Sequence, residues 1–371
     1  MLHYLNYARG VAVLMVVAVH HTYATRDILD IPIILEIIGS YGRMGVQLFF
    51  VASAVTLCIS ASRRGLGAGQ IGGFYSRRLF RIGPMYYVAV FVYFIVWQGG
   101  GEFTGPYDMP KVLANLLFLN GFYPGGQNSI VPGGWSISSE MIFYAIFPFF
   151  FYVFKVVNER FSSIGVFILV ISSCVSHVLL WFLVPHLTDY KLLLGNVFYY
   201  WPPSQVPIFL VGMAFFFTLK GNFENGPPLI SAALFLILTA INIAFWGVAE
   251  AHIFIPIVSA VSFCFLLVCL SHAVKKGGFI QKIGTVSYSM YLVHFIFVWY
   301  LSPPIAEFGV FILGSPTASF FLSYLVVTIL ALGVAIKIGW PMELASINSR
   351  LIFIRIIGIL QSRRKKYKNF S

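Results

Sequence analysis

The sequence predicts an all-α membrane protein, a polytopic integral membrane helical bundle of about 10 transmembrane helices. The chain has 371 residues, of which 59% are apolar and only 10% are charged. Its mean hydropathy of +0.88 excludes an ordinary water-soluble globular protein. Many windows hold about 18–20 mainly apolar residues, which is the length that an α-helix needs to cross a bilayer.

Ten apolar segments are placed along the chain as membrane spans. The longest stretch between them, residues 99–135, is rich in Gly and Pro, and inside it residues 111–122 predict a short apolar helix at the membrane interface. We divide the chain into a membrane domain, residues 1–345, and a basic cytoplasmic tail, residues 346–371. The predicted spans cover residues 7–25, 42–62, 82–98, 136–155, 163–184, 205–219, 228–248, 253–271, 285–301 and 318–339.

The net charge of +12 is distributed as in a membrane protein and not as in a nucleic-acid-binding protein. Most of the 24 Lys and Arg residues fall on one side of the predicted spans, and Arg9 and Lys337 lie in spans or at their edges. The positive-inside rule then places both termini in the cytoplasm. The basic tail is expected to contact anionic membrane lipids. The other side carries Arg26, Arg43, Lys111 and Lys191.

Ionisable side chains interrupt the first predicted span. Arg9 and His20 are eleven residues apart, which on a helix places them on one face and about 16 Å apart along its axis. A charge inside a bilayer costs several kcal/mol, so these side chains indicate a site built through the membrane. Glu140 is the only acidic residue within the predicted spans and needs a partner or a function for the same reason.

Three arginines lie at the predicted cytoplasmic end of the third span. Arg78 and Arg81 are three residues apart and share a helix face, and Arg77 precedes them. Guanidinium groups present a rigid fork of donors that suits phosphate. The alternative is that these arginines act as a positive-inside topology signal. They end a predicted cytoplasmic loop, residues 63–81, whose Gly-rich stretch 65–73 lacks the Gly-Lys-Ser/Thr ending of a phosphate-binding P-loop.

The sequence shows no metal-binding pattern. No His, Glu or Asp spacing is typical of a metal site, so we expect no metal. The cysteines all lie in apolar segments and are expected to be buried hydrophobic residues: Cys58, Cys174, Cys264 and Cys269.

Five motifs, in order along residues 1 to about 300, resemble the membrane acyltransferase-3 family. One departure stands out: the family usually has Ser-Gly-Phe after the second motif, and this chain has Ser53-Ala54-Val55. The missing glycine is expected to affect helix packing. The motifs are Arg9 with His20, Gly45-Val-Gln-Leu-Phe-Phe50, Arg78-Leu-Phe-Arg81, Trp135-Ser136 with Glu140 and Tyr144, and Ser287-Tyr-Ser-Met-Tyr291-Leu-Val-His294.

The resemblance implies an O-acyltransferase of the bacterial inner membrane. Its donor would be acyl-CoA on the cytoplasmic side, with acetyl-CoA as the expected species. Its acceptor would be a hydroxyl of a surface polysaccharide (O-antigen of lipopolysaccharide, capsule or exopolysaccharide) or of its lipid-linked precursor. The sequence leaves the sugar, the acyl chain and the oligomeric state open, a homo-oligomer included.

The same resemblance assigns expected roles. His20 suits a general base, because burial favours the neutral imidazole that accepts a proton; a transient acyl-imidazole is the alternative. Arg9 and Glu140 complete the expected catalytic set, with Glu140 orienting His20, pairing with an arginine or binding the acceptor. Arg78, Arg81 and Arg77 are expected to bind the donor. Substrate contacts are expected from Trp135, Ser136, Tyr144, Tyr291 and His294, against the alternatives of an aromatic belt or simple packing.

Two other classes of function fit parts of the pattern. A transporter or flippase for a lipid-linked sugar would also have about ten spans and buried charges, but it would not need acyl-CoA. A non-catalytic scaffold would tolerate the loss of His20 if the chain still folded.

Overall fold

The computed structural model describes residues 3–98, 109–123, 125–187, 196–248 and 253–350. Every regular element in these ranges is helical, which confirms the all-α prediction. The basic tail from residue 351 onward lies outside the described residues. The helices are α1 (His3–Thr25), α2 (Ile33–Tyr41), α3 (Gly45–Arg64), α4 (Ala68–Gln98), α5 (Met109–Leu116), α6 (Gly134–Leu187), α7 (Asn196–Tyr200), α8 (Pro202–Thr218), α9 (Pro228–Ala244), α10 (Ile255–Ala273), α11 (Phe279–Thr285), α12 (Ser287–Leu313) and α13 (Pro316–Val334).

Each of the ten predicted spans falls on one of these helices. Two of them, 136–155 and 163–184, are the halves of α6, which breaks at Ser162, where φ is 58° and ψ is −159°. By length and composition, six helical stretches in the described residues are long and apolar enough to cross a membrane, and α8 and α9 are shorter apolar helices. Helix α1, which carries Arg9 and His20, is not among the six. The number of spans and the sides of the termini remain predictions.

Apolar faces cover much of the described surface. The second half of α6 exposes Ile164 by 72% and Ile171 by 61%, and Phe311 at the end of α12 is 85% exposed. Apolar patches of this extent on a helical protein are expected to face lipid, because water would solvate them poorly. The surface and the apolar helices together indicate an integral membrane protein.

Helix α1 lies at the centre of the bundle, where neighbouring helices approach its backbone closely. A Cβ atom on Gly284 of α11 would overlap the carbonyl oxygen of Asn6, and one on Gly10 would overlap the carbonyl oxygen of Ile280. A Cβ atom on Gly45 of α3 would come within 2.5 Å of the carbonyl oxygen of Ala12. Small residues at these crossings let the helix backbones touch, as is typical of membrane bundles.

The departure from the family's Ser-Gly-Phe pattern is accommodated by a glycine on the opposite helix. Ala54 is fully buried, and a Cβ atom built on Gly212 of α8 would lie 3.1 Å from the Ala54 Cβ. The α3–α8 crossing therefore has its glycine on α8, and the helices still pack closely.

Two local predictions were wrong at helix ends. The Gly-rich stretch 65–73 was expected to be a loop, but α4 begins at Ala68. Packing of the first α4 turns against α6 outweighs the low helix propensity of glycine: Phe74 stacks on Phe147 with ring centroids 5.6 Å apart, and the Tyr75 hydroxyl donates to the Ala145 carbonyl. The helix expected at 111–122 runs instead from Met109 to Leu116, because Phe118 adopts a positive φ of 58° that ends it.

A second buried acid corrects the expectation that Glu140 would be the only one within a span. Helix α13 continues through a π-turn, Ala335–Gly339, into a helical segment that reaches Arg350. Glu343 in that segment is 4% exposed. Its carboxylate accepts hydrogen bonds from the backbone N–H and the hydroxyl of Ser289, in the first turn of α12. A carboxylate at a helix N-terminus is stabilised by the unpaired N–H groups there, which gives Glu343 a structural role.

Candidate active site

Two cavities lie one after the other along the same face of α1. We call them the Arg9 cavity and the His20 cavity. The α1 residues that line them are Arg9, Val16, Val19, His20 and Tyr23, and at helical spacing they share one broad face. Val46 of α3 and Tyr291 of α12 line both cavities, so they form the wall between them.

The Arg9 cavity is a narrow slot of about 60 Å³ between α1, α3, α4, α6 and α12. This volume is too small for a sugar ring, so in this conformation the slot admits a slender chain or a few waters at most. It collects most of the charged and hydroxyl-bearing residues that the sequence singled out. Its polar lining consists of Arg9, Ser53, Arg81, Ser136, Glu140, Tyr144, Ser287, Tyr288 and Tyr291.

Arg9 is held between α1 and α3. Its guanidinium donates to the Thr56 hydroxyl at 2.7 Å and to the Asn6 side-chain oxygen at 3.2 Å. The Thr56 hydroxyl in turn donates to the Ala52 carbonyl at 2.6 Å. A guanidinium has five N–H donors, so donors remain for a group in the cavity.

Glu140 is fixed by hydroxyl groups. Its carboxylate accepts hydrogen bonds from Ser53, at 2.6 Å, and from Tyr144. Ser53 also lies 3.3 Å from the Tyr144 hydroxyl. Glu140 shares the Arg9 cavity with Arg9 and Arg81, so its carboxylate offsets part of their positive charge.

The three arginines of α4 have different surroundings. Arg81 lines the Arg9 cavity. Arg78 is buried beside it, with its guanidinium carbon 5.5 Å from the centre of the Tyr144 ring and 5.8 Å from that of Phe74. Its Nε has no hydrogen-bond partner in the described structure. Arg77 lines neither cavity. The structure therefore brings Arg81 and Arg78 together with Arg9 but leaves Arg77 apart.

The His20 cavity is larger, about 510 Å³, which falls in the range of small-molecule binding sites. Aromatic and basic residues dominate its walls. No Asp or Glu lines it in the described part of the chain. Its polar and aromatic lining consists of His20, Tyr23, Arg26, Arg43, Asn128, Trp135, Tyr199, Tyr200, Tyr291, Phe295 and Trp299.

His20 packs against a second histidine. Its ring centre lies 5.4 Å from that of His294 and 4.3 Å from that of Phe295. The His294 Nδ1 is 2.7 Å from the Tyr291 carbonyl oxygen, so Nδ1 carries the proton and Nε2 is left as an acceptor. That Nε2 is buried without a partner. The His20 ring is centred 5.4 Å from the His294 ring, and a hydrogen bond from one of its ring N–H groups to this Nε2 would leave the other His20 nitrogen free to accept a proton.

His21, the neighbour of His20, has different surroundings. It is fully buried, its Nε2 lies 2.8 Å from the Ser323 hydroxyl, and its ring meets the edge of Phe320 at 4.7 Å. These contacts tie α1 to α13 and give His21 a structural role. It lines neither cavity.

Tyr291 is fixed at the boundary between the cavities. Its hydroxyl donates to the Gly133 carbonyl at 3.0 Å and lies 2.7 Å from the Ser136 hydroxyl. The Ser136 hydroxyl also lies 2.8 Å from the Gly133 carbonyl oxygen, so its single proton is shared between that oxygen and the Tyr291 hydroxyl. Gly133 has a φ of +71°, and a Cβ atom there would overlap the Tyr291 hydroxyl. The start of α6 and the first turns of α12 are therefore locked together at this wall.

The predicted site residues thus divide between the two cavities. Arg9, Arg81, Ser136, Glu140 and Tyr144 line the first; His20 and Trp135 line the second; and Tyr291 lines both. His294 lines neither but touches His20. Their chemical roles remain predictions.

Sequence reasoning missed Arg43, Tyr199 and Tyr200 in the His20 cavity. The guanidinium carbon of Arg43 lies 4.4 Å from the centre of the Tyr199 ring. Burial raises the pKa of Tyr199 and of Tyr200, so both phenols stay neutral although Arg43 opposes the shift. From the sequence, Arg43 was only one of the four cations assigned to the side of the membrane opposite the cytoplasm. Its position two residues before the motif that starts at Gly45 was the one sequence feature that could have indicated a role in the site.

Comparisons with known proteins identify the family of the chain. The profile of the acyltransferase-3 family, described as an acyltransferase domain, matches residues 2–340. The acyltransferase MdmB of Streptomyces mycarofaciens is 25% identical in an alignment 287 residues long that covers 71% of this chain and 70% of that protein. The exopolysaccharide production protein ExoZ of Rhizobium meliloti (strain 1021) is 27% identical in an alignment 197 residues long that covers 49% of this chain and 58% of that protein.

No solved structure matches the chain. The family profile nevertheless covers all five sequence motifs and both cavities, which extend from Arg9 to Trp299. The chain therefore belongs to the acyltransferase-3 family of membrane acyltransferases.

Proposed function

We propose that this protein transfers an acyl group, with acetyl as the expected group, from acyl-CoA in the cytoplasm to a hydroxyl of a surface polysaccharide or of its lipid-linked precursor. The protein would act in a bacterial inner membrane, crossing it about ten times with both termini in the cytoplasm. The observation that carries the proposal is the pair of cavities on one face of α1, which share Val46 and Tyr291.

The Arg9 cavity suits the donor. Arg9 and Arg81 supply positive charge, and Arg78 lies next to them. Guanidinium groups favour the phosphates of coenzyme A. The slot is narrow, as a thioester-bearing pantetheine arm requires. Arginines near the predicted cytoplasmic end of the third span agree with a donor that enters from that side.

The His20 cavity suits the acceptor, because it is wide enough for a sugar and contains the candidate base. In the proposed reaction the thioester reaches past the wall of Val46 and Tyr291 into the His20 cavity. There the neutral His20 ring takes the proton of the acceptor hydroxyl as that oxygen attacks the thioester carbonyl carbon. The carbon–sulfur bond breaks, and the leaving thiolate receives the proton from the His20 imidazolium. The products are an ester and coenzyme A, and the imidazole is regenerated. A transient acyl-imidazole remains the alternative route, and ping-pong kinetics with a trapped acyl-enzyme would establish it.

The relatives support this choice of chemistry. One is named an acyltransferase and another an exopolysaccharide production protein. A glycan acceptor for this chain is inferred from the second name and from the aromatic walls of the His20 cavity, whose flat faces suit a sugar ring.

The test deletes the gene in its host and restores it as wild type, His20→Gln or His21→Gln at matched membrane abundance. Proton NMR of the purified surface polysaccharide, before and after mild base, detects ester-linked acyl groups. We expect base-labile acyl signals with wild type and His21→Gln and none with His20→Gln. Equal signals from the two histidine variants would remove His20 from the chemistry. Absent signals in every strain, with altered polysaccharide export, would favour a transporter.

A further inference from the structure

We propose that the acceptor of this enzyme is anionic, and that Arg43 binds its carboxylate or phosphate oxygens in the His20 cavity. This inference rests on the proposed function, since it names the chemical class of the acceptor. It follows from the surroundings of Arg43, which neither the sequence motifs nor the relatives' names assign.

Arg43 lacks an acidic partner. It lies in the turn Gly42–Met44 between α2 and α3, and in the described residues no carboxylate approaches its guanidinium within ion-pairing distance. The described lining of the cavity holds no Asp or Glu at all. A half-buried guanidinium without a counter-charge is costly in a membrane protein, and a bound anion removes that cost.

Aromatic groups hold Arg43 in place. Its guanidinium stacks on the Tyr199 ring, whose hydroxyl is 3.0 Å from the Gln47 side-chain nitrogen. Trp135 packs 5.1 Å from Tyr199 and 5.0 Å from Tyr200, measured between ring centres. Stacking fixes the plane of the guanidinium. Arg43 also has a hydrogen bond with the Tyr199 hydroxyl, and the rest of its five N–H donors remain for a planar or tetrahedral anion.

The cavity places this cation beside the candidate base. Arg43 and His20 line the same 510 Å³ space, which is large enough for one sugar unit and its charged substituent. An anion on Arg43 would therefore set which hydroxyl of the acceptor reaches His20. Arg26 lies in the same cavity, but its side chain is 57% exposed and lies 3.7 Å from Asp27, which offsets its charge. Arg160, which is exposed and lines neither cavity, serves as the control.

The anion has two possible sources, a carboxylate on the sugar or the diphosphate of a lipid carrier, and two pairs of probes separate them. Trigalacturonate is compared with neutral galactotriose, and geranyl diphosphate with geraniol. Binding to the full-length protein in lipid nanodiscs is titrated by ligand-observed NMR. We expect wild type to bind the anionic member of at least one pair about tenfold or more tighter than its neutral counterpart, as a charged hydrogen bond predicts.

Three variants locate the effect. Arg43→Gln should abolish the preference for the anion and leave the neutral probe unchanged, whereas Arg160→Gln should change either affinity less than about threefold. Arg43→Lys should keep a reduced preference, because the charge stays and the fork is lost. If Arg43→Gln fails to fold, wild type and Arg43→Lys still decide the question, since added salt should weaken only the binding of the anionic probes.

Equal affinities of wild type for the anionic and neutral members of both pairs would overturn the inference, as would an anion preference that survives in Arg43→Gln. The proposed function is judged separately by His20-dependent acylation in cells. If wild type acylates the polysaccharide in cells through His20 but shows no preference for the anionic probes, the anionic acceptor is rejected and the proposed acyl transfer stands.

Discussion

Gly133→Ala is predicted to disturb the wall between the two cavities. Gly133 has a φ of +71°, in the left-handed region, and a Cβ atom there would overlap the Tyr291 hydroxyl. That hydroxyl cannot keep its place, so it would give up its contacts with Ser136, at 2.7 Å, and with the Gly133 carbonyl, at 3.0 Å. The substitution therefore combines backbone strain with the loss of two buried hydrogen bonds.

The two contributions can be estimated separately. A left-handed conformation costs a non-glycine residue about 1–2 kcal/mol. Each lost hydrogen bond removes about 0.5–1.5 kcal/mol, so displacement of the Tyr291 hydroxyl adds about 1–3 kcal/mol. Gly133→Ala is expected to lower the free energy of unfolding by about 2–5 kcal/mol in total. It is also expected to reduce acyl transfer, because Tyr291 lines both cavities.

Gly125→Ala is the matched control. Gly125 has a nearly identical φ of +73°, but a Cβ atom there meets nothing within 4 Å. This variant should show the strain alone, about 1–2 kcal/mol, and normal acyl transfer. Unfolding is followed in detergent by intrinsic fluorescence, and transfer by the ester content of the polysaccharide at matched protein abundance.

A double-mutant cycle with Tyr291→Phe isolates the overlap. Without the hydroxyl, the new Cβ would still lie 3.1 Å from the ring atom Cζ and 3.3 Å from the Phe295 ring, contacts that a small shift relieves. Gly133→Ala should then cost more than Gly125→Ala but clearly less than it does when the hydroxyl is present. The expected coupling energy is about 1–3 kcal/mol. Additive effects of Gly133→Ala and Tyr291→Phe, or equal effects of the two glycine variants, would refute the view that Tyr291 is locked against Gly133.

Two further predictions concern the donor site and the centre of the bundle. Arg81→Ala should weaken the apparent affinity for acyl-CoA about tenfold or more, and Arg77→Ala less than about threefold, because Arg81 lines the Arg9 cavity and Arg77 does not. Initial rates at increasing donor concentration measure both affinities. Equal effects of the two substitutions would reject Arg81 as a donor-binding residue. Gly284→Ala should lower the unfolding temperature far more than Gly278→Ala, because a Cβ atom on Gly284 would overlap the Asn6 carbonyl whereas one on Gly278 meets nothing within 4 Å. Similar unfolding temperatures of the two variants would contradict the close α1–α11 contact.

The composition and the local pattern were sufficient for the fold class and for the family. Long apolar stretches permit little besides helices in a membrane, because each backbone N–H and C=O must be paired within its own segment. The 3.6-residue period placed Arg9 and His20 on one face, and both line cavities on that face. The order of the five motifs indicated the acyltransferase-3 family, which the family profile confirms.

Local patterns failed where contacts between distant segments outweigh local preference. Glycines predicted a loop before Arg78, yet packing of Phe74 on Phe147 extends α4 through them. Glu343 lies beyond the last predicted span, and its burial depends on the first turn of α12, which it caps. A single sequence contains no signal for either contact, because the partners are 54 or more residues apart.

The sequence by itself determined that this chain is a helical membrane acyltransferase with Arg9 and His20 on one stripe of its first helix. Only the tertiary structure decided that the stripe borders two cavities, with Arg9, Arg81 and Glu140 in one and His20 in the other. It also decided that Tyr291 closes the wall between them. The physical reason is that helical periodicity sets the direction of each side chain, whereas a cavity exists only where several helices meet. At the wall, for example, Ser136 of α6 meets Tyr291 of α12, which lies 155 residues further along the chain.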